Sequence, residues 1–392
     1  MATVDPLTFS YSVRHLLLRK TQVLLTVGGI ALVVFVFVAT LMLSAGLNQT
    51  LSSTGSPDNI IVLRNGATNE IQSGISREHA AVILSDSDVA RDSAGQPEAT
   101  SDILVLVSLN KRSDGQRSNV NLRGTFAKAM TIRPGIRMIE GIPPRAGTRE
   151  VMVGTAIRDK FAGTAVGSTL RLVGSDWLIT GIFDAGNSAF SSEVWGDVDV
   201  MMPSFRRERF SSVTFQMSSG ANFESIKERL QNDRRLSVSL FREREFYESQ
   251  SRALSIFIGI IGGVISAVFS LGAIIGAMIT MYSSVANRVR EIGILRALGF
   301  SRRAIFLAFV RECLLVGFVG GVLGVIAALG LSLVRFATTN FSTFSEVAFG
   351  FTMTPKIACF GILFALAMGL IGGALPAWRA SRLQIVEALR TR

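Results

Sequence analysis

Residues 287–305 read NRVREIGILRALGFSRRAI and lie between two long apolar runs. Five arginines stand here against a single glutamate. Gly299 predicts the end of a short helix, because glycine accepts the left-handed conformation that closes a helix, and Ser301 is a typical N-cap for a second helix. The apolar residues of the first helix do not fall on one face, which favours contacts on both of its sides. The stretch therefore predicts a helix, a sharp turn and another helix beside a membrane.

The composition is that of a membrane protein with room for one large domain in water. Of the 392 residues, 48% are hydrophobic and 37 are glycine, and the mean hydropathy is +0.42. Such a chain is too apolar for an ordinary soluble protein. About 20 apolar residues cross the hydrocarbon core of a bilayer. Four runs of this kind predict an α-helical membrane protein with transmembrane helices at residues 21–45, 253–286, 304–334 and 357–378.

Basic residues cluster beside three ends of these spans. They lie in the interfacial lead-in at residues 1–20, in the segment 287–303 and in the tail at residues 379–392. By the positive-inside rule all three face the cytoplasm, so both termini are predicted to be cytoplasmic. Most of the net charge of +11 is then a topology signal, and we expect no nucleic-acid partner.

Residues 46–252 predict a large extracytoplasmic α+β domain with stalk helices, inserted between the first and second spans. Residues 335–356 predict only a short extracytoplasmic loop. The charged stretch at residues 241–252 is spaced for ion pairs three or four residues apart, formed by Arg242, Arg244, Glu245 and Glu248. Predicted strands cover residues 59–63, 103–109, 150–153, 169–173, 177–183, 198–202 and 213–217, and predicted helices cover residues 77–84, 156–161 and 223–230.

Glycines four residues apart recur in three of the spans. Small residues at this spacing let helix backbones approach closely in lipid. We expect most of them to pack within one four-helix bundle rather than against a second copy. The pairs predicted to pack are Gly259 and Gly263, Gly272 and Gly276, Gly317 and Gly321, and Gly369 and Gly373.

Glu312 stands at the cytoplasmic boundary of the third span, next to Arg311. Two interpretations stay open. Either the two side chains form an ion pair among the headgroups, or Glu312 ties this span to the segment 287–303.

The residues needed for catalysis or for a metal site are scarce. The chain has two histidines, neither in an HExxH pattern, and both cysteines, Cys313 and Cys359, fall in apolar runs. No lysine follows a glycine, so the phosphate-binding GxxxxGK[ST] loop is absent from this sequence. Carboxylates gather near Trp195, but the surrounding turn residues favour a solvated loop over a metal site. The members of this acidic group are Asp184, Glu193, Asp197 and Asp199.

Two motifs carry a family resemblance. Residues 290–299, REIGILRALG, with the following Ser-Arg-Arg and Glu312, resemble the coupling segment of MacB/FtsX/LolC-type ABC transporter permeases, the type VII or mechanotransmission fold. Residues 376–381, PAWRAS, with Glu387-Ala-Leu-Arg390 resemble the closing motif of the same family. Residues 150–183 resemble the core of the MacB-type periplasmic domain, in which residues 110–123 would cross between two lobes.

The resemblance implies a permease that receives its energy from a partner protein. Two copies of an ABC ATPase subunit would supply ATP and Mg²⁺ sites, and this permease chain would be no enzyme and would bind no cofactor or metal itself. A second permease copy is implied, with a homodimer favoured over a heterodimer, in a bacterial inner membrane, and a periplasmic membrane-fusion adaptor is a further partner. The residues implied to dock the ATPase are Arg290, Glu291, Ile292, Ile294, Leu295, Arg296, Leu298 and Gly299.

Several functions fit this resemblance. The first is an ABC permease whose periplasmic domain moves with ATP hydrolysis and drives export of an amphiphile, peptide or lipid-like substrate. The alternatives are a lipoprotein-releasing permease of the LolC/LolE type and an FtsX-like regulator of a cell-wall hydrolase that transports nothing. A four-span receptor unrelated to ABC proteins also stays open.

Overall fold

The computed structural model describes residues 20–133, 135–333, 335–339 and 345–384. The chain divides into two compact units. We call Gly46–Ser255 with Arg335–Gly350 the α+β domain, and the remaining described residues the helical unit. The elements are, in order, α1 (Lys20–Ser52), β1 (Asn59–Arg64), α2 (Arg77–Leu84), β2 (Ala99–Asn110), β3 (Arg117–Thr125), α3 (Ala129–Ile132), β4 (Arg137–Gly141), β5 (Glu150–Gly154), α4 (Thr155–Lys160), β6 (Thr169–Leu172), β7 (Ser175–Asp184), β8 (Glu193–Asp197), α5 (Val198–Ser204), β9 (Ser212–Gln216), α6 (Phe223–Asn232), β10 (Val238–Arg242), α7 (Glu243–Ala286), α8 (Val289–Ala297), α9 (Arg302–Leu329), β11 (Arg335–Thr339), β12 (Glu346–Gly350) and α10 (Pro355–Ser381).

Four helices among the described residues are long and apolar enough to cross a membrane. They are Thr21–Ser52, Glu243–Ala286, Arg302–Leu333 and Pro355–Ser381. Each coincides with one predicted span. The predicted lead-in before Lys20 and the tail beyond residue 384 lie outside the described residues.

One mixed sheet organises the α+β domain. Its strand order is β10-β1-β9-β2-β3-β8-β5-β7-β4, with β6 also paired to β7. The pairs β3–β8 and β5–β7 are parallel and the other pairs are antiparallel. The mixed α+β order predicted from the sequence is confirmed, as are six of the seven predicted strands and all three predicted helices.

The sheet is covered on both faces near β1. Successive side chains of a strand point to opposite faces. Accordingly, Ile60 and Val62 belong to one apolar cluster, while Ile61 and Leu63 belong to another, and all four are fully buried. β1 is therefore a central strand whose every position is buried except Arg64.

Two sequence predictions inside this domain are wrong. Residues 198–202 form part of helix α5 rather than a strand, because Asp197 caps the helix by accepting a hydrogen bond from the Val200 amide at 3.0 Å. The predicted crossing at residues 110–123 contains most of β3, which forms a long hairpin with β2 from Ile103 opposite Gly124 to Asn110 opposite Arg117.

The segment predicted as a short loop at residues 335–356 contains a second, two-stranded sheet. Strands β11 and β12 pair antiparallel and belong to the α+β domain. The Glu346 carboxylate accepts a hydrogen bond from Ser118 Oγ at 2.6 Å and lies 2.9 Å from Lys111 Nζ. The Ala348 amide donates to Ser192 Oγ at 3.0 Å. This hairpin is thus held by side chains of the larger segment of its own domain.

The helical unit packs through two apolar clusters. One joins α1, α9 and α10 around Val34, Val38 and Ala365. The other joins the end of α7 with α8, α9 and α10. In addition, Thr26 Oγ1 of α1 donates to Thr280 Oγ1 of α7 at 2.9 Å. The short helix α8 is thereby part of the bundle and not a free loop.

Candidate functional site

Helix α8 and its flanking turns form the candidate site in the helical unit. The Gly299 amide donates to the Arg296 carbonyl at 3.2 Å, and the Phe300 amide donates to the Leu295 carbonyl at 3.2 Å. With Gly299 at φ 98°, these two bonds make a Schellman motif. Ser301 Oγ then accepts from the Ala304 amide at 3.1 Å and caps α9. The predicted helix, turn and helix are confirmed.

One side of this segment is open to solvent. Arg290 and Ala297 are exposed, and Ile294, Leu298 and Phe300 expose 46%, 72% and 42% of their surface. Apolar side chains next to arginines are the composition found at the centre of protein–protein interfaces. The exposed side can therefore receive a protein partner.

The other side of α8 is buried. Ile292 is only 3% exposed and packs with Met281, Val285, Ile305 and Phe309. Its side chain holds α8 against α7 and α9, and its predicted role in docking stays a prediction. The sequence indicated contacts on both sides of the helix. The structure shows contacts with the bundle on one side, and the other side is exposed.

Arg288 anchors the start of α8. Its Nε donates to Glu291 Oε2 at 3.1 Å and its Nη1 donates to Glu312 Oε2 at 3.1 Å. Its guanidinium carbon lies 5.4 Å from the centre of the Phe309 ring. Burial, and then the neighbouring Glu312 carboxylate, raise the pKa of Glu291. Of the two interpretations of Glu312, the structure supports the one in which it ties the third span to the segment 287–303.

The remaining predicted docking residues differ in accessibility. Leu295, Glu291 and Arg296 are half-buried, and Gly299 is exposed. The Nε of Arg296 is buried without a hydrogen-bond partner among the described residues. The structure thus brings Arg290, Ile294, Leu298 and Gly299 to the open face, and it leaves Glu291, Leu295 and Arg296 half-buried.

Sequence reasoning missed two residues of this site. Arg288 was counted as one basic charge among five, although its spacing of three from Glu291 is the spacing of a helical ion pair. Phe300 was not assigned to the docking set, although it follows the helix-closing glycine directly and its side chain is exposed.

Half of the predicted glycine contacts are present. A Cβ at Gly317 would lie 2.8 Å from the Ala365 carbonyl oxygen, and one at Gly321 would lie 2.7 Å from the Ala365 Cβ. Gly369 and Gly373 meet Cys313 in the same way. The four glycines of α7 are different. Among the described residues nothing lies within 4 Å of a Cβ built at Gly259, Gly263, Gly272 or Gly276, so the structure shows no close packing at these four positions.

The acidic group near Trp195 is not a solvated loop. Glu193 is 3% exposed and accepts a hydrogen bond from Trp195 Nε1 at 2.7 Å. Asp197 caps α5, and Asp199 pairs with Arg77 at 2.8 Å on the surface. Among the described residues no cluster of His, Cys, Asp and Glu is arranged to hold a metal ion.

In the charged stretch after β10, Arg242 Nε lies 3.9 Å from Glu245 Oε1, which confirms one of the predicted pairs.

Comparison with known protein families matches nearly the whole chain. The model of the MacB-like periplasmic core domain matches residues 23–233, and the model of the FtsX-like permease C-terminal matches residues 263–385. The sequence is 27% identical over 408 residues to the macrolide export ATP-binding/permease protein MacB of Bdellovibrio bacteriovorus, covering 95% of this chain and 60% of that protein.

Other relatives match over shorter lengths. The sequence is 29% identical over 230 residues to the uncharacterized ABC transporter permease YknZ of Bacillus subtilis, covering 57% of this chain and 55% of that protein. It is 38% identical over 127 residues to the pyoverdine export ATP-binding/permease protein PvdT of Pseudomonas syringae pv. tomato, covering 32% of this chain and 18% of that protein. The matches thus span three fifths or less of the length of these relatives.

Among solved structures, the periplasmic region of MacB from Actinobacillus actinomycetemcomitans aligns at a TM-score of 0.37 with 13% identity, covering 53% of this chain and 98% of that one. These values are too low to carry the assignment, which depends on the sequence matches. Four long apolar helices and a permease-type C-terminal half define a multi-pass membrane permease. The chain belongs to the MacB/FtsX-type ABC transporter permeases, as the two motifs indicated.

Proposed function

We propose that this permease couples ATP hydrolysis by a separate ABC ATPase subunit to motion of its α+β domain, and that the motion drives export of an amphiphile, peptide or lipid-like substrate. The observation that carries the proposal is the open face of α8. Two permease copies would pair in a bacterial inner membrane with both termini in the cytoplasm. One ATPase subunit would dock on each α8.

The anchoring of α8 suits transmission of force. Arg288 connects the segment to Glu312 of α9, and Ile292 fills the space between α7 and α9. A docked ATPase that moves α8 therefore moves two long helices directly. A flexible loop in the same place would absorb the displacement.

The source of energy lies outside the sequence in hand. The GxxxxGK[ST] loop, whose backbone amides bind nucleotide phosphates, does not occur in this sequence. We therefore assign ATP and Mg²⁺ to the partner ATPase. The names of two relatives describe macrolide export and pyoverdine export by ATP-binding/permease proteins, which favours export over the other functions of the family.

Two alternatives differ from export in their partners. Lipoprotein release would need a second, different permease, whereas export fits a homodimer with a periplasmic membrane-fusion adaptor. An FtsX-like regulator would bind a cell-wall hydrolase and move no substrate. The proteins purified together with this chain would separate the three.

The test uses the tagged full chain purified from its native membrane. We expect an ATPase that contains a phosphate-binding loop to co-purify. Leu298→Asp should reduce the amount of this ATPase at least tenfold, because losing an interface anchor costs about 2 kcal/mol or more. Ile142→Asp is the matched control, since Ile142 is 59% exposed but belongs to the α+β domain. Equal co-purification of the ATPase with wild type and Leu298→Asp would place its docking site elsewhere.

A further inference from the structure

A network of buried ions crosses the α+β domain. The side chains of Arg123 and Arg133 are 0% and 1% exposed. Arg123 donates to Glu193 at 2.8 Å through Nε and to Glu70 at 2.8 Å through Nη1. Arg133 donates to Glu243 at 2.8 Å through Nε. Asp102 joins the two arginines, at 3.2 Å from Arg123 and 3.0 Å from Arg133.

The carboxylates of this network have further donors. Ser212 Oγ donates to Glu70 at 2.7 Å, and Thr125 Oγ1 donates to Asp102 at 2.6 Å. Burial alone would raise the pKa of both carboxyls, but the two arginines and these hydroxyl groups outweigh it, so both pKa values are lowered. Glu70 and Asp102 are therefore ionised at neutral pH.

One end of the network lies where α7 begins. Glu243 is the first residue of α7 and is fully buried. Its Oε2 accepts from the Ser56 amide at 3.0 Å and from Asn59 Nδ2 at 2.8 Å. A Cβ at Gly55, which has φ 78°, would lie 2.6 Å from Glu243 Cγ. The Glu243 side chain thus fills the space beside the residues that connect α1 to β1.

Two neighbouring residues strengthen the same connection. Arg244 Nε donates to the Ser52 carbonyl, the last residue of α1, at 2.6 Å. One turn further along α7, Tyr247 OH donates to Glu70 at 3.0 Å, and its ring lies edge-on to Phe190 at 5.6 Å. The end of α1 and the start of α7 are therefore fixed to each other and to the centre of the sheet.

A buried ion network of this kind is weak evidence for stability, since apolar side chains of similar volume are often as stabilising. What ion pairs and hydrogen bonds add is a defined direction and length for each contact. The peptide that connects α1 to β1, residues 53–58, is short. The geometry of the network, more than its energy, distinguishes it from an ordinary core.

We propose that this network is the fixed joint through which the α+β domain holds α1 and α7, with Glu243 and Tyr247 as the positioning residues. The inference is based on the proposed function, in which displacement of these helices must reach the domain. Loss of the Arg133–Glu243 contact leaves the sheet folded and lets the two helix ends move independently of it.

Amide hydrogen exchange on the full chain in detergent tests the joint without any partner. Glu243→Gln should accelerate exchange about tenfold or more in residues 53–58 and 243–249, because it leaves Arg133 with one buried partner fewer. Exchange in β2 should stay unchanged. Glu150→Gln is the control, since Glu150 is 5% exposed and is paired with Arg145 in the same domain, and this pair includes no residue of α1 or α7. If exchange accelerated equally throughout the sheet, or did not accelerate in residues 53–58 and 243–249, the proposal of a joint would be overturned.

A milder variant covers the case in which Glu243→Gln fails to fold. Tyr247→Phe removes one hydroxyl and keeps the ring, so we expect about fivefold faster exchange, confined to the first turns of α7. No acceleration in the folded variant would exclude Tyr247 as a positioning residue and overturn that part of the proposal.

Transmission is measured in the assembled complex with spin labels at Ser249. Trapped nucleotide should change the distance between the labels of the two copies in wild type and in Glu150→Gln. In Glu243→Gln the change should be lost while ATP hydrolysis persists. If wild type itself shows no change, the proposed function fails, and the exchange data decide the joint separately. If Glu243→Gln keeps the full change, the joint does not transmit motion.

Discussion

Arg288 Nη1 lies 3.1 Å from Glu312 Oε2, and the two side chains are 12% and 10% exposed. The pair joins residues on either side of the turn between α8 and α9. Removing one partner of a buried ion pair costs about 3 kcal/mol, because the remaining charge stays desolvated. The position of α8 therefore depends on a contact outside the helix itself.

The first prediction concerns this pair. Glu312→Gln should raise amide exchange in α8 several-fold and reduce co-purification of the ATPase, because Arg288 loses the charged partner that connects it to α9. Arg311→Gln, at the adjacent position, should change neither quantity. If Arg311→Gln raised the exchange and reduced the co-purification while Glu312→Gln did neither, the Arg288–Glu312 contact would not be what anchors α8.

The second prediction concerns the turn after α8. Gly299→Ala should destabilise the Schellman motif by about 1 kcal/mol, since a Cβ is disfavoured in the left-handed region. Apart from its chain neighbours, no described residue has an atom within 4 Å of the new methyl group, so we expect a purely conformational effect. Exchange of the Phe300 amide measures it. Gly330→Ala is the control, because that glycine has equally open surroundings but an ordinary helical φ of −58°. Equal exchange in both variants would contradict the assignment of the motif.

The third prediction separates glycines that pack inside the bundle from those that do not. Gly317→Ala should lower the thermal stability in detergent, since its methyl group would meet a backbone oxygen and overpacking costs about 1–3 kcal/mol. Gly263→Ala should leave it unchanged. A loss of self-association in Gly263→Ala at unchanged stability would show that the α7 glycines pack against a second copy.

The fourth prediction is a pH dependence of the α+β domain. Glu70 and Asp102 have folded-state pKa values below their ordinary values, so the folded domain binds fewer protons than the unfolded one at acidic pH. Their contribution to stability is complete above about pH 5 and is lost as the pH falls through the folded-state values. The surrounding ionisable groups are Arg123, Arg133, Glu193, Glu243 and Tyr247.

Tryptophan fluorescence can follow this transition. Trp177 and Trp195 are fully buried in the α+β domain, and Trp378→Phe removes the remaining tryptophan of the sequence. We expect the denaturation midpoint to be flat from neutral pH to about pH 5 and to fall below it. A midpoint that rises on acidification would show that the two carboxyls are protonated in the folded domain.

The sequence predicted the features that depend on residues close together in the chain. The end of α8 follows from Gly299 and Ser301 alone, and the spans follow from local hydropathy. The ion network could not be predicted from the sequence, because its contacts join residues far apart in the chain, such as Glu70, Arg123 and Tyr247. For the same reason Glu193 was assigned to a solvated loop. Glycine spacing indicated helix faces lined by small residues on α7 and α9. It did not indicate which of these faces contacts a neighbouring helix.

The hairpin β11–β12 means that the α+β domain is not a contiguous piece of chain. A fragment that ends at Ser255 would contain Lys111, Ser118 and Lys160 but not the Glu346 carboxylate to which they are bound or paired. Residues 335–350 would have to be joined to it to restore that acceptor. The same holds for exchange of this domain between relatives by recombination, which would require two inserted blocks, residues 46–255 and residues 335–350, rather than one.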